Sequence, residues 1–114
     1  MTIERLQPGP WNSKAVVTDN TIYMSGIVAD DKTVGMKEQT EQVLAKIDFI
    51  LKAAGSDKTK ILSSVVYLAN MSEKDFMNEA WMAWMDPKHP PARAAVGVEL
   101  TPNTLVEIMC VAIK

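Results

Sequence analysis

Two segments with a helical period alternate with segments of strand character, and this alternation limits the chain to a small set of folds. Residues 37–54 place Val43, Ile47, Ile50, Leu51 and Ala54 on one stripe, with Lys37, Glu41, Lys46, Asp48 and Lys52 largely outside it. Gly55 stands where a helix C-cap is predicted. In the second helical segment Met77, Ala80, Trp81, Trp84 and Met85 share one spacing, and Pro87 ends it. Ser72 is its predicted N-cap, with Asp75 at the capping-box position. Residues 14–19 and 21–28 are rich in β-branched and aromatic residues, and Asp19-Asn20 between them is turn chemistry, so a hairpin is predicted. A polar loop follows over 29–36. Residues 61–69 form a strand apolar enough to be covered on both faces. After an irregular loop at 86–91, strands at 92–98 and 105–113 close the chain, with Thr101-Pro102-Asn103 turning between them.

The order is therefore ββ-α-β-α-ββ. Each helix joins two strands, and a helical crossover normally joins parallel neighbours; the hairpins add antiparallel pairs. The predicted class is α+β, a mixed β-sheet with two α-helices on one face. The 114 residues form one predicted domain, 1–114. The helix-free face, assigned Val65, Tyr67, Val96, Val98, Ile108 and Val111, is too apolar to stay wet. A chain this short has no third layer to supply, so another subunit is the expected cover.

Charge and residue inventory remove several functions. Net charge is −2 with no Lys/Arg cluster, against the basic stripe expected of a nucleic-acid binder. No run approaches the roughly 20 apolar residues of a membrane span. The N-terminus lacks the pattern of a secretion signal, so a cytoplasmic protein is expected. One cysteine, Cys110, cannot form an internal disulfide, and with one histidine, His89, it cannot build a usual zinc site. What remains for chemistry is carboxylates, arginine, small polar groups and backbone.

Among these, Arg93 begins an apolar strand after the stiff Pro90-Pro91 turn, where its planar fork could hold a carboxylate or simply pair with a local acid. Glu107 interrupts the apolar run 105–112; it is either a buried acid–base group or a residue that alternation points to solvent. Ser25-Gly26 breaks a strand, marking a bulge or a close backbone approach by a ligand. Trp11 could line a pocket, although packing on the core is favoured from sequence alone. Asn78 is placed on the side of its helix opposite Trp81, as an ordinary surface residue. Cys110, Trp81, Trp84 and most of the eight methionines are expected to fill the core, and His89 to be exposed.

At these positions the sequence resembles the RidA family, also called YjgF/YER057c/UK114, over nearly its whole length. The landmarks are Gly9-Pro10-Trp11, residues 23–26, Gln39-Thr40-Glu41-Gln42, residues 53–56, residues 77–81, Pro91-Ala92-Arg93 and Val106-Glu107-Ile108. The resemblance implies a chorismate-mutase-like fold and a homotrimer whose sheets form a central barrel, with sites in clefts between subunits. It implies hydrolysis of 2-iminoalkanoates and their enamine tautomers to 2-oxo acids and ammonia, without metal or other cofactor. Residue by residue, Arg93 matches the arginine that binds the substrate carboxylate and Glu107 the glutamate that positions or activates water. Ser25 and Gly26 match the pocket Ser-Gly pair, Asn78 the asparagine of the second helix, and Trp11 stands where many members have tyrosine. Ile27 and Ala95 stand where glutamine and cysteine are common. The alternative is a non-catalytic trimer that binds small carboxylates such as 2-oxo acids; that reading needs Arg93 and tolerates loss of Glu107.

Overall fold

The computed structural model describes residues 2–114. The strands are β1 (Ile3–Pro8), β2 (Ser13–Thr18), β3 (Thr21–Met24), β4 (Ile27–Val28), β5 (Ile61–Leu68), β6 (Ala92–Gly97) and β7 (Val106–Ile113). The helices are α1 (Met36–Ala53), between β4 and β5, and α2 (Lys74–Trp84), between β5 and β6. All seven strands join one mixed sheet ordered β1-β2-β3-β7-β5-β6, with β4 also paired to β7.

The α+β reading holds, and so does the hairpin as far as residue 24, with Asp19 taking a left-handed φ of 50° in its turn; residues 27–28, expected in its second strand, pair with β7 instead. Three local expectations are corrected. First, β6 and β7 do not form a hairpin. The chain between them carries β7 past β6, so that β5 lies between the two, parallel to β6 and antiparallel to β7. Second, only the α2 crossover joins parallel neighbours; across α1, β7 inserts between β3 and β5. The reason is shared: an eight-residue apolar strand, β7, is buried best at the centre of the sheet. Third, β1 forms an additional antiparallel edge strand beside β2. Most of its side chains are exposed, so backbone pairing rather than burial makes it a strand.

Helix ends follow local chemistry. Gly55 adopts φ 80°, and a Schellman pair closes α1: Gly55 N–H donates to the Lys52 carbonyl and Ser56 N–H to the Leu51 carbonyl. Ser72 does not cap α2. Instead Asn70 Oδ1 accepts from Ser72 N (3.0 Å) and Ser72 Oγ (2.7 Å), starting a short 3₁₀ turn that runs into the helix. Asn outcompetes Ser here because its carbonyl reaches two donors two residues on.

Alternation along β7 decides the faces. Val106, Ile108, Cys110 and Ala112 are buried beneath the helices, whereas Glu107, Met109, Val111 and Ile113 lie on the other face. Ile108 thus moves from the predicted open face into the core, opposite Val66 and in one buried cluster with Ile22, Ile47 and Leu51. The open face carries Tyr23, Val65, Tyr67, Val96, Met109 and Val111; Tyr23 is 50% and Val96 41% exposed.

One buried polar residue ties the loops to this frame. Gln39 is fully buried on α1. Its Nε2 donates to the carbonyls of Val34 (3.1 Å) and Asn103 (3.0 Å), and its Oε1 accepts from Leu105 N–H (3.0 Å). Gln39→Leu would take this partner from three backbone groups, the carbonyls of Val34 and Asn103 and the N–H of Leu105. It is expected to cost roughly 2–5 kcal/mol, read as a lower denaturant midpoint at an unchanged slope; an unmoved midpoint would refute this role.

Candidate functional site

Arg93 is the second residue of β6, in register with Ser64 of β5, and its side chain lies on the helix-bearing face. There α2 supplies three neutral neighbours. Asn78 Oδ1 accepts from Nη2 at 2.8 Å, Met77 Sδ lies 3.6 Å from Nη1, and the Trp81 ring centroid is 4.9 Å from Cζ. Among the described residues the ion pairs are Lys37–Glu79, Lys46–Asp30 and His89–Asp86; none includes Arg93. The local acid of the ordinary reading is therefore absent. Burial lowers the arginine pKa, the direction expected of a guanidinium desolvated without a counter-charge. A shallow cavity of about 300 Å³ opens beside it, lined by Ser63, Ser64, Val65, Ala92 and Ala94.

Asn78 and Trp81 thus lie on the same side of α2, not opposite sides. A separation of three residues is less than one turn, so both reach the same guanidinium. Trp81 and Met77 were missed as site residues because their spacing reads as core, and Trp81 is indeed only 7% exposed. The available signal was the spacing of residues 77, 78 and 81.

The second cluster surrounds Glu107. Its register partners are Tyr67 on β5 and Val28 on β4, and its half-buried side chain lies on the open face. The carboxylate packs over Gly26. A Cβ at position 26 would come within 2.8 Å of Glu107 Cδ and closer still to Oε2. The break at Ser25-Gly26 is therefore a close approach: glycine makes room for a carboxylate of the same chain. Both the N–H and the hydroxyl of Ser25 donate to the Lys14 carbonyl, at 2.9 and 3.2 Å. The hydroxyl is thereby left as an acceptor toward anything else. Trp11 does not pack on the core. It is 86% exposed beside a turn in which Gly9 N–H donates to the Asn12 carbonyl.

Arg93 and Glu107 are not brought together within one chain. Arg93 aligns with Ser64, and Ser64 with Cys110; Glu107 is three residues from Cys110 and so lies on the opposite face. Each face holds half of the predicted site.

The remaining groups are accounted for. Cys110 is buried against Ser64 Oγ at 3.5 Å, and its thiol is pushed up to about 11 by desolvation, which leaves it unreactive. Trp84 is half-buried and donates Nε1–H to Asp48 Oδ2 at 2.8 Å. His89 is exposed and pairs with Asp86 at 3.2 Å. The described residues contain no group of three His, Cys, Asp or Glu placed to hold a metal.

Residues 2–114 match the endoribonuclease L-PSP family. The chain belongs to the RidA (YjgF/YER057c/UK114) family. Among relatives, the RutC family protein YoaB of Escherichia coli is 38% identical, over 98% of both chains. The human 2-iminobutanoate/2-iminopropanoate deaminase is 36% identical, over 93% of this chain and 81% of its own. Among solved structures, a YjgF-family protein from Neisseria meningitidis superimposes with a TM-score of 0.95 at 39% identity, covering 100% of this chain and 96% of that one. RidA relatives thus include proteins named for imine deamination as well as proteins named only by family. No helix among the described residues is long and apolar enough to cross a membrane.

Proposed function

We propose that this RidA-family chain hydrolyses reactive 2-imino acids and their 2-enamino tautomers to 2-oxo acids and ammonia, at clefts between the subunits of a homotrimer. The observation that carries the proposal is the unpaired Arg93 guanidinium. A partly desolvated cation held only by an amide, a thioether and an aromatic ring is a standing demand for an anion, and its fork fits a carboxylate. Because Glu107 lies on the opposite face, one substrate meets both groups only if a neighbouring copy supplies one of them. The apolar open face, with Tyr23 and Val96 about half exposed, is the surface such copies would share.

The reaction suits these residues. Arg93 holds the carboxylate and so fixes the C=N carbon before attack. Glu107 of the adjoining copy takes a proton from water as the water oxygen bonds to that carbon. Glu107 returns that proton to nitrogen, which gives the neutral carbinolamine. It then relays the carbinol O–H proton to the same nitrogen as the C–N bond breaks, so ammonia departs and the carbinol oxygen becomes the carbonyl of the 2-oxo acid. Ser25, whose own proton is held by the Lys14 carbonyl, accepts from the imine N–H. Trp11, exposed in the isolated chain, covers the substrate's side chain. The imine is electrophilic already, so the scheme draws on no cofactor. Net charge −2 with no cationic cluster weighs against a nucleic acid as the anion bound.

The test generates imine in situ with an amino-acid oxidase or a threonine dehydratase and follows its decay with and without the protein. Faster decay at catalytic protein concentration is expected. Binding of 2-oxobutyrate with unaltered decay would replace the deaminase by a carboxylate-binding protein. A solution mass near the single-chain 12.6 kDa would remove the shared cleft.

A further inference from the structure

We infer that Trp81 is a positioning residue for Arg93: its indole face fixes the plane of the guanidinium so that the fork meets a carboxylate edge-on. The inference rests on the function proposed above and adds a residue to its site. A guanidinium has two rotations to settle, tilt of its plane and rotation within that plane. The ring of Trp81, 4.9 Å from Cζ, restrains the tilt. Asn78 Oδ1 at 2.8 Å from Nη2, with Met77 Sδ at 3.6 Å from Nη1, restrains the in-plane rotation. Trp81 cannot itself wander. It is 7% exposed and packs against the Trp84 ring at 5.6 Å, tilted by 59°. All three neighbours are uncharged, so they orient the cation without neutralising it. An acid in any of these places would hold the arginine as firmly and close it to an anion.

A core tryptophan without this role predicts something different, and the two are separable in the full-length protein. The first measurement is the ¹⁵N–¹H spectrum of the Arg93 guanidinium without ligand. Upfield ring-current shifts and slowed exchange of the Nη protons are expected, both lost in Trp81→Met, which keeps apolar bulk but has no ring. The second is titration with 2-oxobutyrate and with its uncharged carboxamide. Trp81→Met is expected to weaken 2-oxobutyrate by roughly 5- to 30-fold and leave the carboxamide unchanged, with Trp81→Phe in between. Equal loss for both ligands, or undiminished 2-oxobutyrate binding, would reduce Trp81 to packing and leave the proposed function standing. If the unaltered protein binds neither ligand, the proposed function falls and this inference with it. Should Trp81→Met not fold, Trp81→Phe carries the test: smaller ring-current shifts with a roughly 2- to 5-fold weaker oxo acid support the role, and unchanged values refute it.

Discussion

Glu107→Gln is expected to slow imine hydrolysis by about 10²-fold or more, while 2-oxobutyrate binds much as before. The substitution keeps the volume that packs over Gly26 and removes the negative charge and with it the capacity to accept a proton. Binding survives because the carboxylate of the ligand belongs to Arg93, on another face of the fold. The comparison is clean because Glu107 takes part in none of the ion pairs among the described residues, so the change strands no buried cation. The decay assay and calorimetric titration are run on the same preparation. Hydrolysis at the original rate would make Glu107 structural and leave the base unassigned.

Arg93→Lys is expected to fail in the opposite pattern, losing binding and turnover together. Lysine keeps the charge but offers a point donor where the fork made two parallel bonds. Losing one charge-assisted hydrogen bond costs about 1.5–3 kcal/mol, or roughly 10- to 150-fold. A single ammonium also cannot both stand over the Trp81 ring and reach Asn78 and Met77 as the three-nitrogen guanidinium does, so the cradle that fits arginine does not fit its replacement. Unchanged 2-oxobutyrate affinity in Arg93→Lys would show that charge alone, or another group, holds the ligand.

The elements of the fold were legible from short-range pattern, and its pairing was not. The periodicity of 37–54 and its glycine stop fall within a residue of α1, because both signals are local. Which strand lies beside which depends on burial competition across the whole sheet. Ile108 shows the cost: one misassigned face in a strand of strict alternation exchanges inside for outside. The site shows the same division. The reading of Arg93, Glu107 and Gly26 as unusual came from their neighbours in sequence. That Gly26 exists to seat Glu107, or that Trp81 lies against Arg93, is a relation between elements distant in the chain. Trp11 illustrates a further limit: a large aromatic beside Pro10 reads as packing, yet its side chain stands largely in the open.

The placement of Arg93 and Glu107 on opposite sides of one sheet has a genetic meaning. On the proposed reading, a small acid that needs both groups is never served by a single copy of the chain acting alone, so each cleft has two contributing copies. On that reading a chain damaged at Arg93 would still lend a sound Glu107 to one neighbour, and a chain damaged at Glu107 a sound Arg93 to another. Faults in the two halves are thus complementary, and in a mixed population the working clefts do not simply track the fraction of intact chains. On the same reading dilution would extinguish clefts by parting the copies that form them.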